Sequence, residues 1–151
     1  MPSSWYKERV TTLAGEPVPA PPEGPMAVVA QTFFEGLAAQ DFERFASAFS
    51  DEVHLRALLP GELREFDGVA KVGAAFARWF GNTEAYEIVD TSAGVIGPRL
   101  CLRWRVRLQA ERLGPGWFVL EQESYADLDD DNRVSGLSLL CSGYLPERPD
   151  G

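Results

Sequence analysis

The chain has 151 residues, room for one domain that buries roughly 70% of the surface its unfolded chain exposes, so disulfide or metal staples are not required. Apolar residues at 45% and charged residues at 25% are those of an ordinary globular protein, which excludes disordered, collagenous and membrane classes by composition. Fourteen basic against 23 acidic side chains leave a net charge of −9, which repels polyanions and argues against nucleic acid as a partner.

No stretch approaches the ~20 apolar residues needed to cross a bilayer, and the opening MPSSWYKERV lacks the apolar run of a signal peptide. A cytoplasmic location without membrane contact is therefore expected. Cys101 and Cys141 show no metal-ligand spacing, and His54 is the single histidine, so no metal is expected. No phosphate loop or dinucleotide fingerprint is present, and no organic cofactor is expected.

Residues 1–25 end in a stretch with five prolines between Pro17 and Pro25, which removes backbone donors and favours extended conformation. They read as an N-terminal tail, or as an arm that docks through Trp5 and Tyr6. From Met26 the apolar residues Val29, Ala30, Phe33, Phe34 and Leu37 recur at helical spacing. Asp41 reads as the N-cap of a second, short helix with Phe42, Phe45, Ala46 and Phe49 on its apolar face. Glu52 to Leu58 reads as a strand, closed by Pro60 and Gly61 and followed by a loop. Asp67 and Gly68 open a third helix whose apolar side is Val69, Val72, Phe76, Trp79 and Phe80, ended by Gly81 and Asn82.

Beyond residue 83 the helical period is replaced by four runs rich in β-branched and aromatic residues: Tyr86–Ile96, Arg99–Glu111, Trp117–Leu128 and Arg133–Tyr144. The segments between them, Gly97-Pro98, Gly114-Pro115-Gly116 and Asp129–Asn132, suit antiparallel hairpins. Helices first and a meander afterwards is the α+β pattern rather than the alternating pattern of a parallel sheet, with residues 146–151 read as a tail.

Leu102, Trp104, Val106 and Leu108 alternate with Arg103, Arg105 and Arg107, so this strand has one apolar and one arginine face. The next strand alternates Leu120, Gln122, Ser124 and Ala126 with Glu121, Glu123 and Tyr125. Pairing through the Gly114 turn sets glutamates beside arginines on the outer face, as a charge ladder or an anion site. Trp104, Gln122 and Ser124 then face inward. A four-residue turn at Asp129–Asn132 pairs Leu128 with Arg133 and Leu120 with Cys141, which turns Cys141 inward and Cys101 outward.

The order of elements, together with FFEGLAAQDFERFASAFSDEVHL, FDGVAKVGAAFARWF and DLDDDNRVSGLSLL, resembles the nuclear transport factor 2-like superfamily over about residues 26–145. That superfamily includes ketosteroid isomerase, SnoaL-type polyketide cyclases, limonene epoxide hydrolase and non-catalytic modules, so the resemblance implies three N-terminal helices packed in the concave face of a curved antiparallel sheet, a cone-shaped α+β barrel over residues 26–145, and leaves its use open. Carried over by position, the isomerase's helix-1 tyrosine falls on Phe33, its base on Arg56 and its protonated aspartate on Ser124, so that proton shuttle is not implied. The Arg-x-Asp arrangement of the epoxide hydrolase is also unmatched, Arg103 being followed by Arg105.

Two functions are expected from different classes. The first is a cone binding a small apolar molecule, as an isomerase, cyclase or hydrolase with His54 as acid/base and Arg56 as oxyanion or carboxylate partner on the inner wall. The alternative role for this pair is to satisfy carbonyls or the acids Glu62, Glu65 and Asp67. Phe33, Phe76, Trp79, Trp104, Gln122, Ser124 and Cys141 are the ligand-binding candidates, with core packing as the competing role of the rings and of the thiol. The second function is a non-catalytic module that forms a homodimer through the outer sheet face, using Tyr125, the charge rows and the N-terminal arm.

Overall fold

The computed structural model describes residues 19–148. Trp5 and Tyr6 lie outside them. Helix α1 spans Pro25–Ala39, α2 Phe42–Ala46 and α3 Val69–Phe80; the strands are β1 Phe49–Leu59, β2 Glu62–Asp67, β3 Ala85–Ile96, β4 Arg99–Gln109, β5 Phe118–Leu128, β6 Val134–Cys141 and β7 Leu145–Pro146. The sheet order is β2-β1-β6-β5-β4-β3, with β7 on β5. All neighbours are antiparallel except β1 and β6, which run parallel. This is the expected α+β cone, three helices held by a curved, unclosed sheet. None of the described helices is long and apolar enough to cross a membrane.

Pro25 opens α1, where its missing amide proton costs nothing, and Gln40 closes it in the left-handed region at φ 55°. Gln40 then ties α1 to the end of α3, its Nε2 donating to the Phe80 carbonyl at 2.7 Å and to Thr83 Oγ1 at 2.9 Å. Asp41 caps α2 as expected, accepting the Arg44 amide at 3.1 Å. The helix is shorter than its apolar spacing suggests, because Phe49 belongs to β1, where it is 2% exposed.

Two further elements depart from the sequence reading. Glu62–Asp67, expected as loop, is an edge strand paired with β1; polar side chains on an edge hide it from any apolar-run criterion. The chain also stays on the sheet past residue 145, since Leu145 pairs with Val119 and Pro146 with Phe118. At the other end, the Pro-rich segment touches the body. Ala20 and Val95 exchange backbone hydrogen bonds at 3.1 and 2.7 Å, and Pro19 lies over Gly94, where a Cβ would come within 2.9 Å of the proline ring.

The charge ladder forms as read. Arg103 lies opposite Glu123 and Arg105 opposite Glu121, with ion pairs at 3.4 and 2.5 Å. Arg107 bonds both Glu87 and Glu147 and stacks 3.9 Å from the Trp117 ring centroid. Every arginine of this row has an acidic partner, so the row is a ladder rather than an anion site. The alternate residues Leu100, Leu102, Trp104, Val106 and Leu108 are at most 2% exposed and form the inner wall.

Candidate functional site

On the inner wall, Gln122 of β5 sits between Trp104 of β4 and Cys141 of β6 as cross-strand neighbours. Cys141 was expected opposite Leu120. A bulge at Asp127 and Leu128, and a turn in which Asp129 Oδ1 accepts the amides of Asp131 and Arg133, move the register by two residues. A two-residue slip preserves facing, so the thiol still points inward, half-buried against the core. Cys101 faces outward, opposite Tyr125.

The polar groups of this wall are nearly all engaged. Ser124, fully buried, donates to the Leu102 carbonyl at 3.4 Å. Cys141 Sγ accepts the Gly143 amide at 3.4 Å. Tyr144 donates to the Trp79 carbonyl at 2.5 Å, and burial raises its phenol pKa. Trp104 Nε1 donates to Gln122 Oε1 at 3.0 Å. Gln122 Nε2 has no partner, although the residue is 3% exposed. A buried donor left this way costs about 1–3 kcal/mol.

The aromatic candidates are brought together, but against one another. Phe33 meets Trp104 at 5.1 Å and Phe76 at 6.2 Å between ring centroids, and Phe76 meets Trp79 at 5.1 Å. Phe33 and Phe76 are fully buried. The interior expected to be a hollow is, around these rings, a packed core. The wall reaches solvent where Trp79, Cys141 and Tyr144 are half-buried. The cleft of about 370 Å³ lies instead on the outer face. It is lined by the Arg103–Glu123 and Arg105–Glu121 rungs, by Asp90 and Leu140 on the flanking strands, and also by Trp104, Gln122 and Cys141.

His54 and Arg56 do not join the inner wall. In β1 it is Val53, Leu55 and Ala57 that are fully buried, and a strand cannot present consecutive residues to one face. The pair expected inside the cone is therefore outside it. His54 Nδ1 lies 2.6 Å from Asp67 Oδ1 and its Nε2 lies 2.9 Å from Glu65 Oε1. These hydrogen bonds, Asp67 first, raise its pKa above the usual histidine value. An imidazole with both nitrogens held by carboxylates is favoured as the cation and has no free lone pair to act as a base. This is the alternative role weighed for it, satisfying the acids of the following segment.

Gln122 and Ser124 are the buried polar residues among those described, and no carboxylate is buried with them. Nor is any group of three or more His, Cys, Asp or Glu placed to hold a metal ion among the described residues. The wall can donate a hydrogen bond and enclose apolar surface. It lacks the paired acid and base that proton abstraction needs. Two residues were missed from sequence. Tyr144 was read only as the end of the last strand, which in fact stops at Cys141, and Arg112, in a turn, caps α3 by donating to the carbonyls of Arg78, Trp79, Gly81 and Asn82. Neither position carries a periodicity that would reveal it.

In sequence, residues 30–128 match the SnoaL-like domain family. No curated protein matches the chain. Among solved structures it is similar to an LEH-like epoxide hydrolase of M. tuberculosis, with TM-score 0.58 and 16% identity over 78% of this chain and 83% of that one. It is similar to AusH from Aspergillus nidulans, with TM-score 0.62 and 15% identity over 82% and 87%. TerC, co-crystallised with polyporic acid, gives TM-score 0.61 and 12% identity over 77% and 90%. At such identities the likeness is one of fold.

Proposed function

The chain belongs to the SnoaL-like domain family, within the nuclear transport factor 2-like superfamily, and we propose that it binds a small, largely apolar molecule at the solvent-reaching end of the inner wall. The observation that carries this reading is the buried Gln122 Nε2, a polar atom left without a partner on a largely apolar wall, which is the usual make-up of a small-molecule site. Trp104, Gln122 and Cys141 form its floor and Trp79 and Tyr144 its rim. That TerC was crystallised with an organic molecule is consistent with such a use of the fold. Binding rather than turnover is assigned, because the buried wall offers no carboxylate for the isomerase or epoxide hydrolase chemistry found in the superfamily.

The test is a screen of bicyclic apolar fragments against isotope-labelled protein. Shifts of the backbone amides of Leu120, Gln122, Leu139 and Cys141 are expected, with amides of the β1–β2 hairpin unmoved. If no fragment moves the inner-wall amides, the reading fails.

A second reading concerns self-association. Leu63, Leu58 and Leu140 follow one another across β2, β1 and β6, are 48%, 50% and 48% exposed, and continue into Glu123 and Arg103. This apolar stripe beside a self-complementary charge ladder suits a two-fold contact through the outer face, so a homodimer is the proposed assembly. Sedimentation is expected to give a dimer that Leu140→Glu dissociates. A wild-type monomer at all concentrations and salts sinks this assembly and leaves the binding site untouched.

A further inference from the structure

The orientation of the Gln122 side chain decides which molecules the site accepts. An indole offers a donor and no in-plane acceptor, so the 3.0 Å contact from Trp104 Nε1 is satisfied only when the glutamine oxygen faces it. A flipped amide would set donor against donor at two residues no more than 3% exposed. The Nε2 group is thereby turned away from Trp104 with two N–H bonds and no acceptor. Neither neighbouring polar group is bonded to it: the Ser124 hydroxyl donates to the Leu102 carbonyl, and the Cys141 sulfur takes the Gly143 amide.

Resting on the binding reading above, we propose that the Trp104–Gln122 pair is a polarity filter. It admits neutral apolar molecules that carry an oxygen acceptor, such as ketones, lactones or ethers, and rejects isosteres whose polar group is a donor alone. An acceptor completes the Gln122 amide. A donor meets two N–H bonds and no buried carboxylate, so both partners lose their hydrogen bonds to water without replacement. A carboxylate ligand would find a donor but no buried cation, and an unpaired charge is costly to enclose.

Three probes of nearly the same shape separate these cases in the full-length protein: indan-1-one as acceptor, indole as donor and indane as neither. Indan-1-one is expected to bind at least about fivefold more tightly than indane, and indole at least about fivefold more weakly. The side-chain amide resonances of Gln122 should move with indan-1-one alone, a readout that needs no variant. Gln122→Leu combined with Trp104→Phe, which removes both buried donors, should bring the three affinities together. Trp104→Phe releases the amide to turn, so the penalty on indole should disappear while indan-1-one still binds.

Equal binding of indole and indan-1-one at inner-wall amides overturns the filter and leaves the binding reading standing. Loss of all three probes from that wall overturns the binding reading itself. A Gln122 amide that stays in contact with water and does not respond to bound indan-1-one also overturns the filter, since the group is then satisfied by solvent.

Discussion

Replacing Phe76 by alanine is expected to destabilise the fold by about 3–5 kcal/mol, the range for removing a large ring from a packed core. Phe76 is fully buried, and its ring lies 4.5 Å from that of Phe45, 5.1 Å from Trp79, 6.2 Å from Phe33 and Phe80, and 6.4 Å from Trp104. Five rings would lose a common neighbour, and helices anchored at both ends cannot collapse into the gap. Urea denaturation measures the loss directly. A value under about 1 kcal/mol would mean that Phe76 already borders empty space, which would restore the hollow interior inferred from sequence. The same substitution therefore separates a core residue from a ligand-lining one.

Gly36→Ala is expected to destabilise by about 2 kcal/mol, although alanine is the better helix former by about 1 kcal/mol. A Cβ at Gly36 would lie 2.7 Å from the Phe45 backbone nitrogen and 2.8 Å from its Cα. These are main-chain atoms of α2, and no rotamer change moves them. The helix α1 would have to retreat from α2, disturbing the bond from the Asp41 amide to the Gly36 carbonyl at 2.9 Å and the packing of Phe33 on Phe45. Thermal unfolding of the variant reports the balance. A raised midpoint would show that propensity outweighs the close approach.

The meander was legible because its alternation is clean. Trp104 buried between Arg103 and Arg105 determines both faces of β4, and the Gly114 turn then sets Glu121 and Glu123 beside the arginines. Asp41, Gly68 and Gly81 mark helix ends by chemistry that acts locally, so they too could be read. The reading failed where it needed tertiary context. Glu62–Asp67 is a strand only because β1 supplies a partner. The slip that puts Cys141 beside Gln122 comes from the Asp129–Arg133 turn together with the bulge at Asp127 and Leu128, which the sequence spacing does not reveal.

His54 and Arg56 are a different kind of error. Val53, Leu55 and Ala57 alternate with them as plainly as the apolar and arginine rows of β4, and that signal alone places the histidine outside. The superfamily analogy pointed inward, and the local pattern was right. Gln122 was expected to face inward; its unpartnered nitrogen has no signature in the sequence, because which end of an amide is free depends on the neighbour at the other end.

The parallel pairing of β1 with β6 has a bearing on how the chain folds. The hairpins β3–β4, β4–β5 and β5–β6 each join segments adjacent in sequence, so they close small loops. His54 against Gly136 and Leu58 against Leu140 join the start of the sheet to its end, enclosing α3 and the whole meander in one large loop. Such contacts are entropically costly until the intervening parts are ordered. The order that follows is meander first, with β1 and its hairpin partner β2 docking last, and a nascent chain cannot complete the sheet until β6 has been synthesised.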